Sequence, residues 1–334
     1  MNPLALKAAF RSLVHQDMEL AQYATSDEGA QREFLLRRKE EYLKGHKQEW
    51  LDKKRSFLQS YIRNPAPPNT ADVQLELRIC KEQWEHDLWR AAKLQFWSMP
   101  PNEYVGRRKR ILVFDRGKLL GIIGVASCLW GLSDRDKWIG WTTDNKYNRI
   151  NHVLDAYVLG AVPPYNGIFR GSKLVSMLLA SDWFRGFWGN HYRDIPVLIV
   201  TTTLFGHSAV LHNTRLGNRR LWDHIGQTKG MGTMHFSKET VDIAKALLDA
   251  YGIRVKNRFG DGPNWKLRLM RTAFEEAGLE ANENLTHGYT RWIYALELGE
   301  NAREFLREET DDFLPFHCSV EQILEDWRRN QCHC

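Results

Sequence analysis

A short basic turn is the first group of residues in this sequence with the chemistry to bind a charged ligand. The stretch FRGSK places Arg170, Gly171, Ser172 and Lys173 immediately before an apolar run that is typical of a helix. The start of a helix presents unpaired N–H groups and the positive end of the helix dipole, so such a turn can hold a phosphate or pyrophosphate. The same residues can equally serve to cap the helix. The spacing G-x-x-x-x-G-K-[ST] is absent, which argues against a P-loop ATPase.

A second group combines tryptophans with charged residues in the stretch DRDKWIGW. Tryptophans beside basic side chains can stack a nucleobase and hold a phosphate. We therefore expect Arg135, Trp138 and Trp141 to contact nucleic acid. A strand that buries Trp138, with Arg135 and Asp136 in salt bridges, explains the pattern equally well.

A third group brings histidines and arginines together between positions 207 and 235. His207 and His212 precede Arg215, Arg219 and Arg220, which we expect to bind nucleic acid. Histidine exchanges protons near neutral pH, and arginine binds phosphate through paired hydrogen bonds. Glycines at positions 217, 226, 230 and 232 indicate a backbone that closely approaches another group.

Acid or base chemistry in the middle of the chain must fall to aspartate or histidine, because no glutamate occurs between Glu103 and Glu239. We predict Asp136, His207 and His212 as the catalytic residues. The sequence has no G-x-S-x-G elbow, no H-E-x-x-H motif and no pair of C-x-x-C motifs, so nothing supports a serine hydrolase of that type or a zinc enzyme. No metal site is expected.

The elements that would position these groups change character along the chain. Residues 1 to about 100 show helical spacing, with one helix over Arg32 to Ile62 and another over Thr70 to Phe96, separated by the proline-rich NPAPPN. Beyond residue 110 strands and helices alternate, beginning with a hairpin around Asp115-Arg116-Gly117. We predict an α/β fold preceded by an all-helical hairpin. Its domains would be a helical extension over 1–104, an α/β core over 105–310, and a C-terminal helix and tail over 311–334.

The net charge of +6 over 334 residues is unevenly distributed. Residues 110–235 contain 15 lysines and arginines against 8 acidic residues, a net charge of +7, whereas residues 236–334 have a net charge of −5. Residues 110–235 also contain six of the 12 histidines and six of the 13 tryptophans. This composition favours a polyanionic ligand for the core.

The sequence predicts a cytoplasmic protein. Its longest apolar run, Leu119 to Leu132, has 14 residues, fewer than the about 20 that a membrane helix needs. Its N-terminus lacks the apolar core of an export signal. The five cysteines are odd in number and show no framework spacing, which is typical of reduced thiols.

The order of the predicted parts resembles the core of GNAT acyltransferases. A glycine-containing hairpin, a long strand, a basic turn that opens a helix and a further strand follow one another as in that fold. The resemblance implies a mixed sheet with flanking helices, and a turn over 170–173 whose amides hold the pyrophosphate of an acyl-CoA-like ligand. It is a likeness of fold, and a fold alone does not fix a function.

Several longer blocks resemble the DruA family, whose members include a component of the Druantia anti-phage defence system. They cover roughly residues 105–310, and RDKWIGW and VLGAVPPYN are the most specific. Family members tend to have two glycines where this chain has Gly171-Ser172. The resemblance implies a role against mobile DNA together with other defence proteins, but it supplies no catalytic residues. With its GNAT-like core, the chain also resembles the Mom-type DNA-modifying enzymes of phages. That resemblance implies a nucleobase as the substrate of the core.

Three functions follow as hypotheses. In the first, a GNAT-like core binds or modifies nucleic acid, with DNA favoured. In the second, the protein is a non-catalytic subunit that holds nucleic acid for a helicase or nuclease, with the helical hairpin as its docking arm. In the third, it is an acyl-CoA-dependent acyltransferase that acts on a small molecule or a protein.

Overall fold

A computed structural model describes residues 2–25, 27–63, 69–97, 99, 106–167, 170–204, 206, 210–255 and 265–330. The chain forms two compact units, and each is assembled from separate stretches. The first comprises residues 1–52, 97–105 and 229–290, and the second comprises residues 53–96, 106–228 and 291–334. The predicted domains, in contrast, are consecutive segments.

The described residues contain the following helices and strands. The helices are α1 (Pro3–Ala24), α2 (Glu28–Leu43), α3 (His46–Tyr61), α4 (Gln83–Phe96), α5 (Ser133–Ile139), α6 (Thr143–Arg149), α7 (Gly171–Met177), α8 (Asp182–Tyr192), α9 (Lys238–Ala250), α10 (Trp265–Ala277), α11 (Ala281–Leu285), α12 (Ala302–Leu306) and α13 (Val320–Arg329). The strands are β1 (Leu75–Ile79), β2 (Arg108–Asp115), β3 (Lys118–Ser127), β4 (Val153–Ala161), β5 (Leu198–Thr203), β6 (Arg215–Leu216), β7 (Arg219–Arg220), β8 (Asp223–Gln227) and β9 (Trp292–Glu297).

A seven-stranded mixed sheet organises the second unit, in the order β1-β2-β3-β4-β5-β9-β8. Neighbouring strands are antiparallel except for β4 and β5, which are parallel. Strands β6 and β7 form a separate hairpin. The predicted α/β class with a mixed sheet and flanking helices is confirmed, as are helices at the N-terminus.

The parallel pair is joined only at its beginning. The register runs from Val153 opposite Leu198 to Asp155 opposite Val200, and no pairing with β5 continues along the rest of β4. On its other side β4 contains a bulge, because Val125 pairs with Ala156 and Gly124 with Val158, so that Tyr157 is an extra residue. The carboxyl end of β4 is therefore free of its parallel neighbour.

Two apolar clusters cover the sheet of the second unit. One contains Ile199, Tyr294 and Leu296 from the sheet together with residues of α7, α8 and α13. The other contains alternate residues of the same strands, such as Val200 and Ile293, together with residues of α5 and α12. This alternation is what a strand with two buried faces requires.

The first unit is helical and has its own core. Phe10 and Val14 of α1 pack with Leu247 of α9 and with Met270 and Phe274 of α10. Amphipathic spacing predicts α9 and α10 well, with residues 238–251 and 263–277 expected against the observed Lys238–Ala250 and Trp265–Ala277.

The predicted helix over Thr70 to Phe96 is wrong at its beginning. Residues Leu75–Ile79 form β1 at the edge of the sheet, opposite β2, and helix α4 begins only at Gln83. The sequence LELRI alternates apolar and charged residues, a period of two that fits a strand as well as the helical spacing does, and pairing with β2 selects the strand. The second predicted element of the all-helical hairpin is thus a strand and a shorter helix.

Two long predicted helices are also interrupted. The helix expected over Arg32 to Ile62 divides into α2 and α3 at Gly45, which has a positive φ of 78°. One continuous helix is expected from Ser172 to Trp188, but α7 ends at Met177. A second helix, α8, then begins after Ser181, which caps it by accepting a hydrogen bond from the Phe184 N–H. A residue in the left-handed region ends a helix, and a serine N-cap starts a new one.

Candidate functional site

The predicted phosphate-binding turn lies where β4 leads into α7. Gly171 is buried, and a Cβ atom there would lie 2.5 Å from the carbonyl oxygen of Tyr165. The Gly171 N–H donates to that same carbonyl at 2.8 Å, and the Ser172 hydroxyl accepts a hydrogen bond from the Ala161 N–H at 3.0 Å. The turn thus fastens α7 to the end of β4, and the protein's own backbone accounts for the glycine.

The same turn leaves Arg170 at the surface. Arg170 has a positive φ of 47° and is exposed, and its carbonyl accepts a hydrogen bond from the Lys173 N–H at 2.8 Å. Two N–H groups at the start of α7, those of Gly171 and Lys173, are therefore already used. These two amides are therefore not available to a phosphate, whereas the Arg170 guanidinium is exposed.

A buried ion-pair network supports the turn from below. The Tyr165 hydroxyl donates to Asp115 Oδ2 at 2.7 Å and accepts from Arg63 Nε at 2.6 Å. Arg63 Nη2 also donates to Asp115 Oδ2 at 2.7 Å, and the Gln74 N–H donates to Asp115 Oδ1 at 2.9 Å. Asp115 is 1% exposed, so these partners hold a buried charge. The sequence reasoning missed this network, although Tyr165 lies within the quoted VLGAVPPYN block.

A cluster of polar aromatic residues lies on β8, on β9 and at His212 between β5 and β6. The Tyr294 hydroxyl donates to the Gly206 carbonyl at 3.0 Å and lies 3.5 Å from His212 Nδ1. The His224 ring is 5.6 Å from the Tyr294 ring and 4.2 Å from the Trp292 ring, measured between centroids. Burial raises the pKa of Tyr294, so its hydroxyl is a proton donor at neutral pH. His212 is thus positioned beside a buried donor, as general acid–base chemistry would require.

The predicted arginines of this region have different surroundings. Arg220 is exposed and donates through Nη2 to the His212 carbonyl at 3.0 Å, and Arg215 is exposed and donates to the Asn218 carbonyl at 3.0 Å. Arg219 turns inward, donates to the Glu297 carbonyl at 2.8 Å and lies 3.3 Å from the Phe316 ring centroid. Arg220 and Arg215 therefore present charge to a ligand, and Arg219 does so less.

Two of the four glycines predicted to approach a ligand, Gly226 and Gly230, closely approach the protein itself. A Cβ at Gly226 would lie 2.2 Å from Asp134 Oδ2, and one at Gly230 would lie 2.9 Å from the Gly288 carbonyl carbon. At Gly217 a Cβ would contact nothing within 4 Å, and a positive φ of 57° in the β6–β7 hairpin explains this glycine. These glycines carry no information about a ligand.

Asp136 is the centre of an ion cluster on α5. Its Oδ1 accepts from Arg135 Nη2 at 2.6 Å and its Oδ2 accepts from Lys146 Nζ at 2.6 Å. Arg135 is fully buried and also donates to the carbonyls of Leu129 and Trp130, at 2.7 and 3.1 Å. Because its donors are used within the fold, the surroundings of Arg135 give no support to a contact with nucleic acid.

The two predicted stacking tryptophans face the interior of the second unit. Trp141 Nε1 donates to the Leu306 carbonyl at 2.6 Å, and Trp138 lies 4.9 Å from the Arg303 guanidinium. Both rings pack against the apolar cluster of α5 and α12. The segment is a helix ended by Gly140 in the left-handed region, so the alternative interpretation of it as a strand is wrong.

The remaining predicted catalytic residue, His207, lies outside the described residues. Within the described ranges no group of three or more His, Cys, Asp or Glu side chains could hold a metal ion. In that same part of the chain we find no helix with the length and apolar character of a membrane span.

Sequence reasoning also missed a pair of cations beneath α4. Lys93 and Arg110 share the ring of Trp89, and Arg110 hydrogen-bonds the hydroxyl of Tyr157. The available signal was the run RRKR at 107–110, because successive residues of a strand point to opposite faces and a run of basic residues therefore places cations on both faces.

Comparison with known proteins identifies the family. The model of the family described as Druantia protein DruA matches residues 28–308. Druantia protein DruA of Escherichia coli (strain UMEA 4076-1) is 35% identical over 261 residues, which cover 73% of this chain and 63% of that protein. No solved structure matches the chain. The extent of the family match and the identity to this relative together show that the chain belongs to the DruA family.

Proposed function

We propose that this chain acts in anti-phage defence as a nucleic-acid-binding protein, together with other defence-system proteins. The DruA relative is a Druantia protein, and membership of its family supports the biological setting. The excess positive charge of residues 110–235 supports a polyanionic ligand. DNA is the favoured ligand.

The observation that carries this proposal is the division of the basic side chains into two sets. Within residues 110–235 one set is tied to carboxylates in ion pairs: Arg135, Lys146, Arg149 and Arg185. Arg170, Arg215 and Arg220, in contrast, are exposed, and no described carboxylate pairs with them. Exposed guanidinium groups without a carboxylate partner are the groups that replace counterions on a phosphate backbone.

Salt-dependent binding tests the proposal. Binding of the full chain to labelled duplex DNA and RNA is measured by fluorescence anisotropy over a range of salt concentrations. The variant R215Q/R220Q should weaken binding and reduce the slope of log K against log salt by about 2, one for each lost phosphate contact.

A matched variant controls for net charge. K53Q/R55Q removes the same charge from exposed positions on α3 and should leave the slope unchanged. Equal slopes for both variants, or an affinity that does not weaken with rising salt, would contradict the proposal.

A second candidate, a GNAT-like transferase that uses an acyl-CoA-like ligand, is favoured by the sheet. Hairpin β2–β3, strand β4, the turn that opens α7 and strand β5 follow in the expected order, and the parallel ends of β4 and β5 separate. Ligands of open α/β sheets bind outside the carboxyl ends of parallel strands. His212 and Asp136 stay predicted catalytic residues, of which His212 has the more suitable surroundings.

Labelled acyl-CoA distinguishes this candidate. Retention of the label on nucleic acid, protein or small molecule would identify the acceptor. Arg170 and Arg193 are both exposed arginines with positive φ, 47° and 60°, which makes R193Q a matched control for R170Q. We expect R170Q alone to weaken acyl-CoA binding, and no binding by the unaltered protein would exclude the candidate.

A further inference from the structure

Two cations share one aromatic ring beneath α4, on the sheet of the second unit. Lys93 Nζ lies 5.6 Å from the Trp89 ring centroid, and the Arg110 guanidinium lies 4.9 Å from it. Lys93 Nζ is also 5.4 Å from the Tyr157 ring centroid. Both cationic side chains are partly buried. Both groups are positively charged, and partial burial removes water that would screen their charges.

The aromatic residues that hold the cations are fixed in place. Trp89 is 2% exposed and donates through Nε1 to the Ile123 carbonyl at 2.9 Å. Tyr157 is the bulged residue of β4, and its hydroxyl is hydrogen-bonded to Arg110. Gly124 leaves room for both rings, because a Cβ there would lie 2.7 Å from Tyr157 and 2.8 Å from Trp89. The geometry is therefore set before any ligand binds.

The acidic residues of α4 do not neutralise this pair. Glu85 accepts from the backbone N–H groups of Lys81 and Glu82, at 2.7 and 2.9 Å. Asp87 pairs with Lys54 at 2.7 Å and accepts from Gln83 at 2.8 Å.

Other charged neighbours of the pair lie on α4, β2 and β4. They are His86, Arg108 and Asp155, of which Asp155 is the acid. The Nδ1 atom of His86 is buried and has no hydrogen-bond partner among the described residues. Burial, and then the charge of Arg110, lowers the pKa of Lys93 to about 8. No ion pair joins a described carboxylate to Lys93 or Arg110, and two such cations beside an unsatisfied polar atom indicate a missing anion.

We propose that Lys93, Arg110 and the Tyr157 hydroxyl bind the terminal phosphate group of a small molecule. A terminal phosphate carries a charge of about −1.5 to −2 and three acceptor oxygens, which match two cations and one hydroxyl donor. The planar fork of Arg110 suits two of those oxygens. Partial burial favours one terminal phosphate over a duplex backbone, which needs a wide exposed surface. The residues differ from Arg170, Arg215 and Arg220, so this site does not depend on the proposed function.

Reductive labelling with pyridoxal 5′-phosphate tests the site on the full chain. The Lys93 amine adds to the aldehyde and water leaves, which gives an imine. Borohydride then delivers a hydride to the imine carbon, a solvent proton goes to the nitrogen, and the stable secondary amine is located by mass spectrometry. 5′-Deoxypyridoxal has the same aldehyde without the phosphate and without a hydroxyl that could close onto the aldehyde. We expect labelling of Lys93 by the phosphate form to exceed that by 5′-deoxypyridoxal at least about tenfold, which is the effect of one charge-assisted contact.

The ratio of the two labels separates phosphate binding from amine reactivity. R110M should lower the ratio to about one, and Y157F should lower it in part. K109M removes the same charge from the neighbouring residue, whose side chain lies over Tyr192, and should leave the ratio unchanged. Where R110M fails to fold, R110K provides the test, because it keeps the charge and loses the planar fork. A ratio near one in the unaltered protein, or equal ratios in R110M and K109M, would overturn the proposal.

Competition identifies the source of the phosphate. Protection of Lys93 by inorganic pyrophosphate supports a small-molecule ligand. Protection by a 5′-phosphorylated oligonucleotide, with none by its 5′-hydroxyl form or by pyrophosphate, would instead assign the phosphate to a nucleic-acid end and overturn the small-molecule assignment. An absence of protection by every competitor would overturn the site itself.

Discussion

Tyr165→Phe removes a single hydroxyl from the network that supports the start of α7. That hydroxyl donates to Asp115 at 2.7 Å and accepts from Arg63 at 2.6 Å. Burial, and then the hydrogen bond to Asp115, raises the pKa of Tyr165 above its ordinary value, so the group is a protonated donor throughout the neutral range. The substitution keeps the ring and its packing. It therefore isolates the contribution of the hydroxyl.

The expected cost follows from what Asp115 retains. After the substitution the Asp115 carboxylate still accepts from Arg63 Nη2 and the Gln74 N–H, so the buried charge keeps two partners. The substitution removes two hydrogen bonds, the one to Asp115 and the one from Arg63 Nε. The Arg63 side chain is partly exposed, so water replaces its bond, and the main loss is the hydrogen bond to the buried Asp115 carboxylate, worth about 1.5–3 kcal/mol. We expect the free energy of unfolding to fall by about 2 kcal/mol.

Tyr289→Phe provides a matched control in the first unit. Tyr289 is also 1% exposed, and its hydroxyl donates only to the neutral carbonyl of Ala21, at 3.0 Å. Such a bond is worth about 1 kcal/mol. Urea unfolding measures both costs from the shift in midpoint at constant m.

Hydrogen exchange should localise each effect, to the peptides of β2, β3 and α7 for Tyr165→Phe and to α1 for Tyr289→Phe. A smaller cost for Tyr165→Phe than for Tyr289→Phe would refute the view that Asp115 and Arg63 form a charged support for the turn.

Two further predictions concern charged groups within each unit. Asp136→Asn leaves the buried Arg135 without its charged partner and should cost about 3–5 kcal/mol in urea unfolding; a loss of activity with unchanged stability would instead support the predicted catalytic role of Asp136. His235 has its pKa lowered to about 3 by burial and then by His287, so the unfolded chain binds a proton there first, below about pH 6.5. The contribution of neutral His235 to the free energy of unfolding should therefore be fully present above pH 6.5, and it should fall by about 2 kcal/mol between pH 6.5 and 5. Urea midpoints of His235→Gln should lack this part of the pH dependence, and identical pH profiles for both proteins would contradict the assignment.

The parts of the fold that local patterns determine could be predicted from the sequence. Alternating residues around Asp115-Arg116-Gly117 predict the β2–β3 hairpin, and Arg116 and Gly117 indeed have positive φ of 47° and 74°. The edge strand β1 could not be separated from α4 in the same way, because its five residues fit both periods. Pairing with β2, a non-local interaction, decides in favour of the strand.

The candidate site was predictable as a set of residue types but not as an arrangement. Arg170 to Lys173 could be placed at the start of a helix, yet only the structure shows that the Tyr165 carbonyl occupies the Gly171 N–H. Asp115 and Arg63 are 52 residues apart and meet only through the sheet and α3. Long-range partners of this kind leave no spacing signal in the sequence. Arg135 is an example, because its residue type suggests a ligand contact, whereas the structure shows that it is buried.

The interleaved architecture changes how a partner-docking role must be tested. Deleting residues 1–100 would remove β1 from the edge of the sheet and, with α4, the residues Trp89 and Lys93 from its face. Deleting only residues 1–52 would expose the apolar surface of α9 and α10 that α1 covers. A loss of partner binding after either truncation would therefore not separate docking from unfolding. Substitutions at exposed apolar positions such as Leu4, Tyr23 and Leu36 leave both cores intact, and loss of a partner in those variants would identify the helical surface as its docking site.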